Sequence, residues 1–418
     1  MCNLPDNPHI PGHCPTRLKD IGVDLVVEEL KAKMRGNIAV VGCGHVGLPL
    51  LGFLVSKNVR AFGIDIVPPK NNDFGRVLNL PFKEDGLEDL LKKYVVEVVD
   101  YQSANELDIA IITVGTPIDK NHNPDTSQIR AALKSLVNHN LINDKTLIIM
   151  RSTLFPGACE WIQNILKTEH NIHPDIAFAP ERIAEGYALK EIYEIPQPIG
   201  GLDKRSLKRA TEFFTPLVKE IIPMSSTRAT EFVKLFSNGF RYVNFALANE
   251  FAMKADEMDV NYEEIRNAVN HNYSRGGLAK AALNVGGYCL AKDWCLLDHK
   301  STVPSIVKKA YEVAEKTPVY YANKFKDEIT SRNVGILGLA FKPGSDNSTD
   351  SLSHKMIKMC EQYNAEKIFV HDPHIKHDKY NTSLDVLMNN ADIVFVMTEH
   401  PEFSNIAPIN KFQIMVRL

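Results

Sequence analysis

Apolar positions along this chain come in two spacings, and they alternate. From Gly36 to Asp65 the sequence reads N-I-A-V-V-G, then L-P-L-L-G-F-L-V, then V-R-A-F-G-I-D. The outer two are short runs of strand length and the middle one has helical length, so the order is strand, glycine turn, helix, strand. Further runs follow between helical patterns: D-I-A-I-I-T-V-G near 108–115, K-T-L-I-I-M-R-S near 145–152 and D-I-A-F-A-P near 175–180. A second series opens at Arg332 with N-V-G-I-L-G-L-A-F, then a helix, K-I-F-V-H-D and A-D-I-V-F-V-M-T-E. Strands that alternate with helices pack as a mostly parallel, doubly wound sheet.

Between the two series, Thr227 to Asp259 contains no proline and only Gly239 as a weak point. It fits one helix of ~50 Å at 1.5 Å per residue. Phe232, Phe236 and Phe240 supply more apolar surface than one small domain needs, which points to a two-fold subunit contact along it. The predicted class is α/β, two doubly wound Rossmann-like domains joined by a long central helix. The expected parts are an N-terminal extension (1–35), the first half (36–222), a central helical domain (223–328) and the second half (329–418).

Composition changes this picture little. At 418 residues, with 44% hydrophobic and 24% charged, the chain is an ordinary multidomain globule. A net charge of -3 gives no electrostatic reason to expect nucleic acid or an anionic membrane. No apolar run approaches the ~20 residues of a membrane span. The first residues lack an apolar signal core, so a cytoplasmic chain is expected. The cysteines Cys2, Cys14, Cys43, Cys159, Cys289, Cys295 and Cys360 are odd in number and scattered, which fits a reducing compartment. Cys2, His9, His13 and Cys14 match no common zinc spacing, and no metal is expected.

Chemistry concentrates in a few places. Gly42, Gly44 and Gly47 form G-x-G-x-x-G, enclosing His45 and Val46, straight after a strand and at the opening of a helix. The glycines allow a tight turn, close approach of a pyrophosphate and close helix packing, and the helix N-terminus favours an anion. Asp65 ends the next strand, where a carboxylate bonds ribose hydroxyls and repels a 2′-phosphate, so NAD is expected over NADP. In N-V-G-G-Y-C-L-A-K-D two glycines precede Cys289, exposing its sulfur, and Lys292 and a following helix are expected to lower its pKa. Cys295, within W-C-L-L, reads as core. Lys234, Asn238 and Arg241 recur at helical spacing on one face, either a solvated row or a face turned to a polar ligand. Glu181 and Glu185, in P-E-R-I-A-E-G, stand where a strand leaves the first sheet, at the end of a parallel sheet that binds ligands.

Taken together these residues resemble the UDP-glucose/GDP-mannose dehydrogenase family. The resemblance runs from about Asn37 to about Phe403. It includes V-G-T-P (114–117), R-S-T-L-F-P-G (151–157), K-L-F-S-N (234–238), G-G-Y-C-L-A-K-D (286–293), G-L-A-F-K-P (338–343) and T-E-H-P-E-F (398–403), in family order. It implies an NAD-binding half, a central dimerisation domain and a UDP-sugar-binding half, with two hydride transfers to two NAD molecules. Cys289 would hold a thiohemiacetal and then a thioester. Lys234 and Asn238 would polarise the C6 oxygen, Asp293 would position water and Glu181 would assist as acid or base. Gly115, Thr116, Thr153 and Glu185 would join the NAD site. Ile183, Gly286, Phe341 and Lys342 would join the substrate site.

Arg182, Arg241, Val285 and Arg275 match the UDP-N-acetylhexosamine branch rather than the UDP-glucose branch, so the expected substrate is a UDP-N-acetylhexosamine, UDP-N-acetylmannosamine first. UDP-glucose is the alternative. The chain also departs from the family. Arg151 replaces a glutamate, A-A-L-N (281–284) replaces a proline- and glycine-rich stretch, and Thr349 stands in place of an arginine. A closing D-G-R-N segment is missing, from which a truncated chain is one expectation. A two-electron hydroxyacid dehydrogenase and a non-catalytic nucleotide-sugar binder are the rival readings. NADH yield per sugar separates the three as two, one or none.

Overall fold

A computed structural model describes residues 36–67, 77, 80, 82–375 and 381–418. The extension at 1–35, with Cys2, His9, His13 and Cys14, lies outside the described residues. The first sheet contains β1 (Ile38–Val41), β2 (Ala61–Ile64), β3 (Val98–Val99), β4 (Ile109–Ile112), β5 (Leu147–Met150), β6 (Asp175–Phe178), β7 (Gln197–Gly201) and β8 (Ile221–Pro223). Their order is β3-β2-β1-β4-β5-β6-β7-β8. All neighbours are parallel except β6 and β7, which pair antiparallel. In β1, Ile38 and Val40 enter one apolar cluster while Ala39 and Val41 enter the other. Successive side chains of a strand point to opposite faces, so this run without polar residues fits a sheet covered on both sides.

The second sheet joins β9 (Asn333–Leu337), β10 (Lys367–His371), β11 (Ile393–Val396) and β12 (Ile414–Val416) in the order β10-β9-β11-β12, all parallel. Each sheet therefore reverses its winding beside its first strand, between β1 and β4 and between β9 and β11. In doubly wound sheets that switch point opens a ligand crevice at the carboxyl ends of the strands. The expected fold class is what the chain adopts.

Helix α1 (Gly47–Ser56) follows the glycine turn, and α2 (Thr227–Asp256) is the long connector of 30 residues, about 45 Å. The Ser226 side chain accepts from Ala229 N and caps its start. The helix ends three residues before the expected Asp259, because Asp259 takes a left-handed conformation (φ 55°) and Val260 N turns back to Ala255 O. Gly239 does not break it, and Val307 packs over that position. Leu235, Tyr242, Ala246, Ala248 and Ala252 are buried, whereas Phe236 and Phe240 are 58% and 71% exposed. Helices α3 (Gly287–Leu297) and α4 (Ile306–Lys324) pack beside α2, and α5 (Leu352–Gln362) follows β9. No described helix is long and apolar enough to cross a membrane.

Candidate active site

The glycine turn behaves as the residue types require. At Gly47 a Cβ would lie 1.9 Å from the Gly42 carbonyl oxygen, so no other residue fits. At Gly44 a Cβ would meet nothing within 4 Å, which leaves the loop open to a close ligand. Beside it lies a cavity of about 380 Å³, walled by Gly42, Gly44, Asp65, Tyr101, Gly115 and Gln128 among others. Asp65 Oδ2 accepts from Cys43 N at 2.7 Å and Oδ1 from Val67 N at 3.0 Å. Each oxygen keeps a lone pair, so the same carboxylate ties down the turn and faces the cavity. These residues fit an adenosine diphosphate half with a free 2′-hydroxyl. kcat/KM should favour NAD over NADP on the order of a hundredfold, since juxtaposed like charges cost several kcal/mol. Equal values for the two cofactors would remove the argument. Tyr101 and Gln128 belong to no motif, and only the fold brings them to this cavity.

The polar residues of the candidate catalytic motifs gather from three separate stretches. Lys234 and Asn238 lie on α2, buried; Glu181 follows β6; Asp293 is on α3. Lys234 Nζ bonds Glu181 Oε1 at 2.6 Å, and Asn238 Nδ2 donates to Asp293 Oδ2 at 2.6 Å. Lys292 Nζ donates to the other oxygen, Asp293 Oδ1, at 2.8 Å. Glu181 Oε2 also accepts from Ile183 N at 3.0 Å, which fixes the carboxylate's direction.

Cys289 sits in the first turn of α3, exposed, after Gly286 and Gly287 at positive φ. Gly287 is forced by contact as well as by φ, because a Cβ there would lie 2.3 Å from Phe341. Contrary to expectation, the thiol pKa is raised, not lowered. The protein walls desolvate the sulfur, and with the Asp293 carboxylate they push it up to about 11. Lys292 and Lys234 pull the other way, but each is ion-paired with a carboxylate, so neither offers an unshared charge. Cys295 is buried, as a core residue should be.

The remaining expected residues divide. His45 Nδ1 stands 3.1 Å from Glu185 Oε1, joining the glycine loop to the P-E-R-I-A-E-G segment. Lys342 reaches across from the second half to the Glu185 carbonyl, and burial lowers its pKa. Val46 precedes α1, Thr116 is buried, and Thr153 and Ile183 are half-buried in loops after β5 and β6. The Arg182 guanidinium turns to the Pro196 carbonyl. Arg241 is exposed on α2, and Arg275 is exposed, stacked on Tyr273. So the structure gathers Glu181, Lys234, Asn238, Asp293 and Cys289, but does not bring the three arginines together with them. Among the departures, Arg151 is wholly buried, donating to Ala179 O (3.1 Å) and Gln197 Oε1 (2.9 Å). Burial lowers its pKa to about 10, against the nearby Glu181 charge.

The second half repeats the first with one difference. Asp372, after β10, occupies the place that Asp65 holds after β2. Its Oδ2 accepts from Leu339 N and Ala340 N, at 2.8 and 2.9 Å, and its Oδ1 from His374 N and Ile375 N, at 2.8 and 3.1 Å. His400 Nε2 adds a fifth bond at 3.1 Å, while His400 Nδ1 accepts from Gly344 N at 3.2 Å. Burial alone would raise the Asp372 carboxyl, but these bonds outweigh it and hold it well below the usual range. This carboxylate is spent on the loop carrying Phe341 and Lys342, so Asp372, unlike Asp65, is not free to take a ribose hydroxyl. Both ring nitrogens of His400 are also used, which leaves none for a metal, although His374 and Glu402 offer ligand atoms within 4.8 Å.

A dinucleotide-type crevice, a second doubly wound half and a hydrogen-bonded polar cluster at their junction define a nucleotide-dependent oxidoreductase. Family models cover most of the chain: the NAD binding domain of the UDP-glucose/GDP-mannose dehydrogenase family matches residues 36–218, its central domain 228–317 and its UDP binding domain 335–417. The chain belongs to that family. Among its relatives, the UDP-N-acetyl-D-mannosamine dehydrogenase of Methanococcus aeolicus is 29% identical over 390 residues, 91% of this chain and 88% of that protein. The enzyme of the same name from Methanococcus vannielii is 30% identical over 384 residues, 88% of this chain and 87% of that one. The solved UDP-D-ManNAc dehydrogenase of Pyrococcus horikoshii superposes with a TM-score of 0.78 at 27% identity, covering 88% of this chain and 91% of the other.

Proposed function

We propose that this chain oxidises the C6 hydroxymethyl group of a UDP-N-acetylhexosamine, UDP-N-acetylmannosamine first, to the carboxylate through Cys289. The observation that carries the reading is the hydrogen-bonded set of Lys234 with Glu181 and Asn238 with Asp293, the last on the same helix whose first turn bears Cys289. NAD, when bound, takes up the hydride in each of the two oxidations. Glu181 accepts the C6 hydroxyl proton from the face where Lys234 already holds its carboxylate. Lys234 keeps two further N–H donors and Asn238 one, and these steady the oxygen as charge develops on it. Cys289 Sγ then adds to the aldehyde carbon, its proton passing to the former carbonyl oxygen to give a thiohemiacetal, whose second hydride loss, with the O–H proton going to Glu181, leaves the thioester. Both Asp293 oxygens are held by donors, and their remaining lone pairs orient the water that opens the thioester.

The relatives' names favour an N-acetylated sugar. A site built around hydrogen bonds rejects ligands that lack the partner group, commonly by orders of magnitude. kcat/KM for UDP-N-acetylmannosamine should exceed that for UDP-glucose at least about tenfold, with two NADH per sugar. UDP-glucose turned over as well as the manno, gluco and galacto N-acetyl sugars would discard the assignment. A homodimer along α2 follows from the exposed Phe236 and Phe240, and a monomer mass by light scattering at micromolar concentration would count against it.

A further inference from the structure

The stretch before Gly286 is where this chain departs from the glycine-rich family pattern, and its side chains are firmly held. Ala281, Leu283, Asn284 and Val285 are all buried. Asn249 of α2 bonds both backbone groups of Ala282, donating to its carbonyl at 2.9 Å and accepting from its N–H at 3.0 Å. Two residues on, the Asn284 side chain enters the second half. Its Nδ2 lies 2.9 Å from Ala340 O, 2.8 Å from Ser351 Oγ, 2.9 Å from Thr398 Oγ1 and 3.3 Å from Ser353 Oγ, sharing two protons among four acceptors. Its Oδ1 accepts from Leu352 N at 3.0 Å, at the start of α5.

We infer that Asn284 is a positioning residue that couples Cys289 to the nucleotide-binding half. Ala340 precedes Phe341 and Lys342, Leu352 opens α5, and Thr398 follows β11, so one amide joins three loops of that half. From Asn284 only Val285 and the two glycines lead to the first turn of α3, and Phe341 packs directly on Gly287. A shift of the second half on binding a nucleotide is thereby passed to the thiol, while the NAD half touches this strap nowhere through Asn284. The inference rests on Cys289 being the reacting thiol, but its test does not require turnover.

The test is the rate of Cys289 alkylation by iodoacetamide at fixed pH, with and without UDP, with Cys289→Ser as the blank for the other cysteines. In the unsubstituted protein UDP should change the rate several-fold. In Asn284→Ala the rate without UDP should rise and the response to UDP should fall below about twofold, while NAD affinity stays within twofold. For turnover, kcat should drop on the order of tenfold to a hundredfold, as a misplaced reacting group costs, with KM for NAD unchanged. If Asn284→Ala does not fold, Thr398→Val, which removes one partner only, should show the same loss of UDP response in smaller measure. Alkylation that responds to UDP alike in all three proteins overturns the inference, as does a protein in which UDP binds without altering the rate. Should Cys289→Ser still make acid, the proposed chemistry falls, and the alkylation result stands apart from it.

Discussion

Cys289→Ser should abolish acid formation while leaving at most a slow first oxidation, so that NADH per sugar falls from two to one or below. The thiol is held up at about 11 by burial and Asp293, so at neutral pH it is almost wholly protonated at rest. Nucleophilic attack therefore depends on losing that proton as the bond forms, a step a serine hydroxyl performs far less well. Cys295→Ser is the control, since that residue is core and should leave the stoichiometry at two. Mass spectrometry of a quenched reaction would trap the thioester on the unsubstituted protein. Undiminished acid from Cys289→Ser would end the covalent route.

Lys234→Met should cost kcat on the order of 10²–10³-fold, the usual loss when one preorganised donor to a developing oxyanion is removed. Stability should fall as well, by about 3 kcal/mol, because Glu181 would be left as an unpaired, mostly buried carboxylate. The double variant Lys234→Met with Glu181→Gln should recover much of the stability and none of the rate. That pairing separates the two roles: thermal melts report the ion pair, and kcat reports the donor. If the single variant turns over sugar normally, Lys234 is only a structural partner of Glu181.

Much was legible in the sequence. The alternation of β-branched runs with helical ones identified both sheets, because strands covered on both faces need continuous apolar runs and cannot hide them. The glycine turn with Asp65 was legible too, since Gly47 admits no Cβ and the residue type records that contact directly. The order of family motifs along the chain brought Glu181, Lys234, Asn238, Cys289 and Asp293 into view as one set.

What the sequence could not carry was the state of those groups. Lys292, three positions along the same helix from Cys289, reads as a cation near a thiol, yet in the fold its charge is taken by Asp293 and the thiol rises instead of falling. Arg241 shares a helical face with Lys234 and Asn238 by spacing, but only Lys234 and Asn238 are covered by other elements. Asp372 and Asp65 end equivalent strands, and only the first is exhausted by four amides and a histidine. Asn284 looked like a lost glycine and is a junction between two domains. Sequence alone determined the central strands, the long helix and the motifs, because periodicity and backbone sterics act over a few neighbours, while strands β3, β7, β8 and β12 escaped it. Tertiary structure alone decided desolvation, charge pairing and hydrogen-bond saturation, because those depend on what long-range packing places within about 3 Å of an atom.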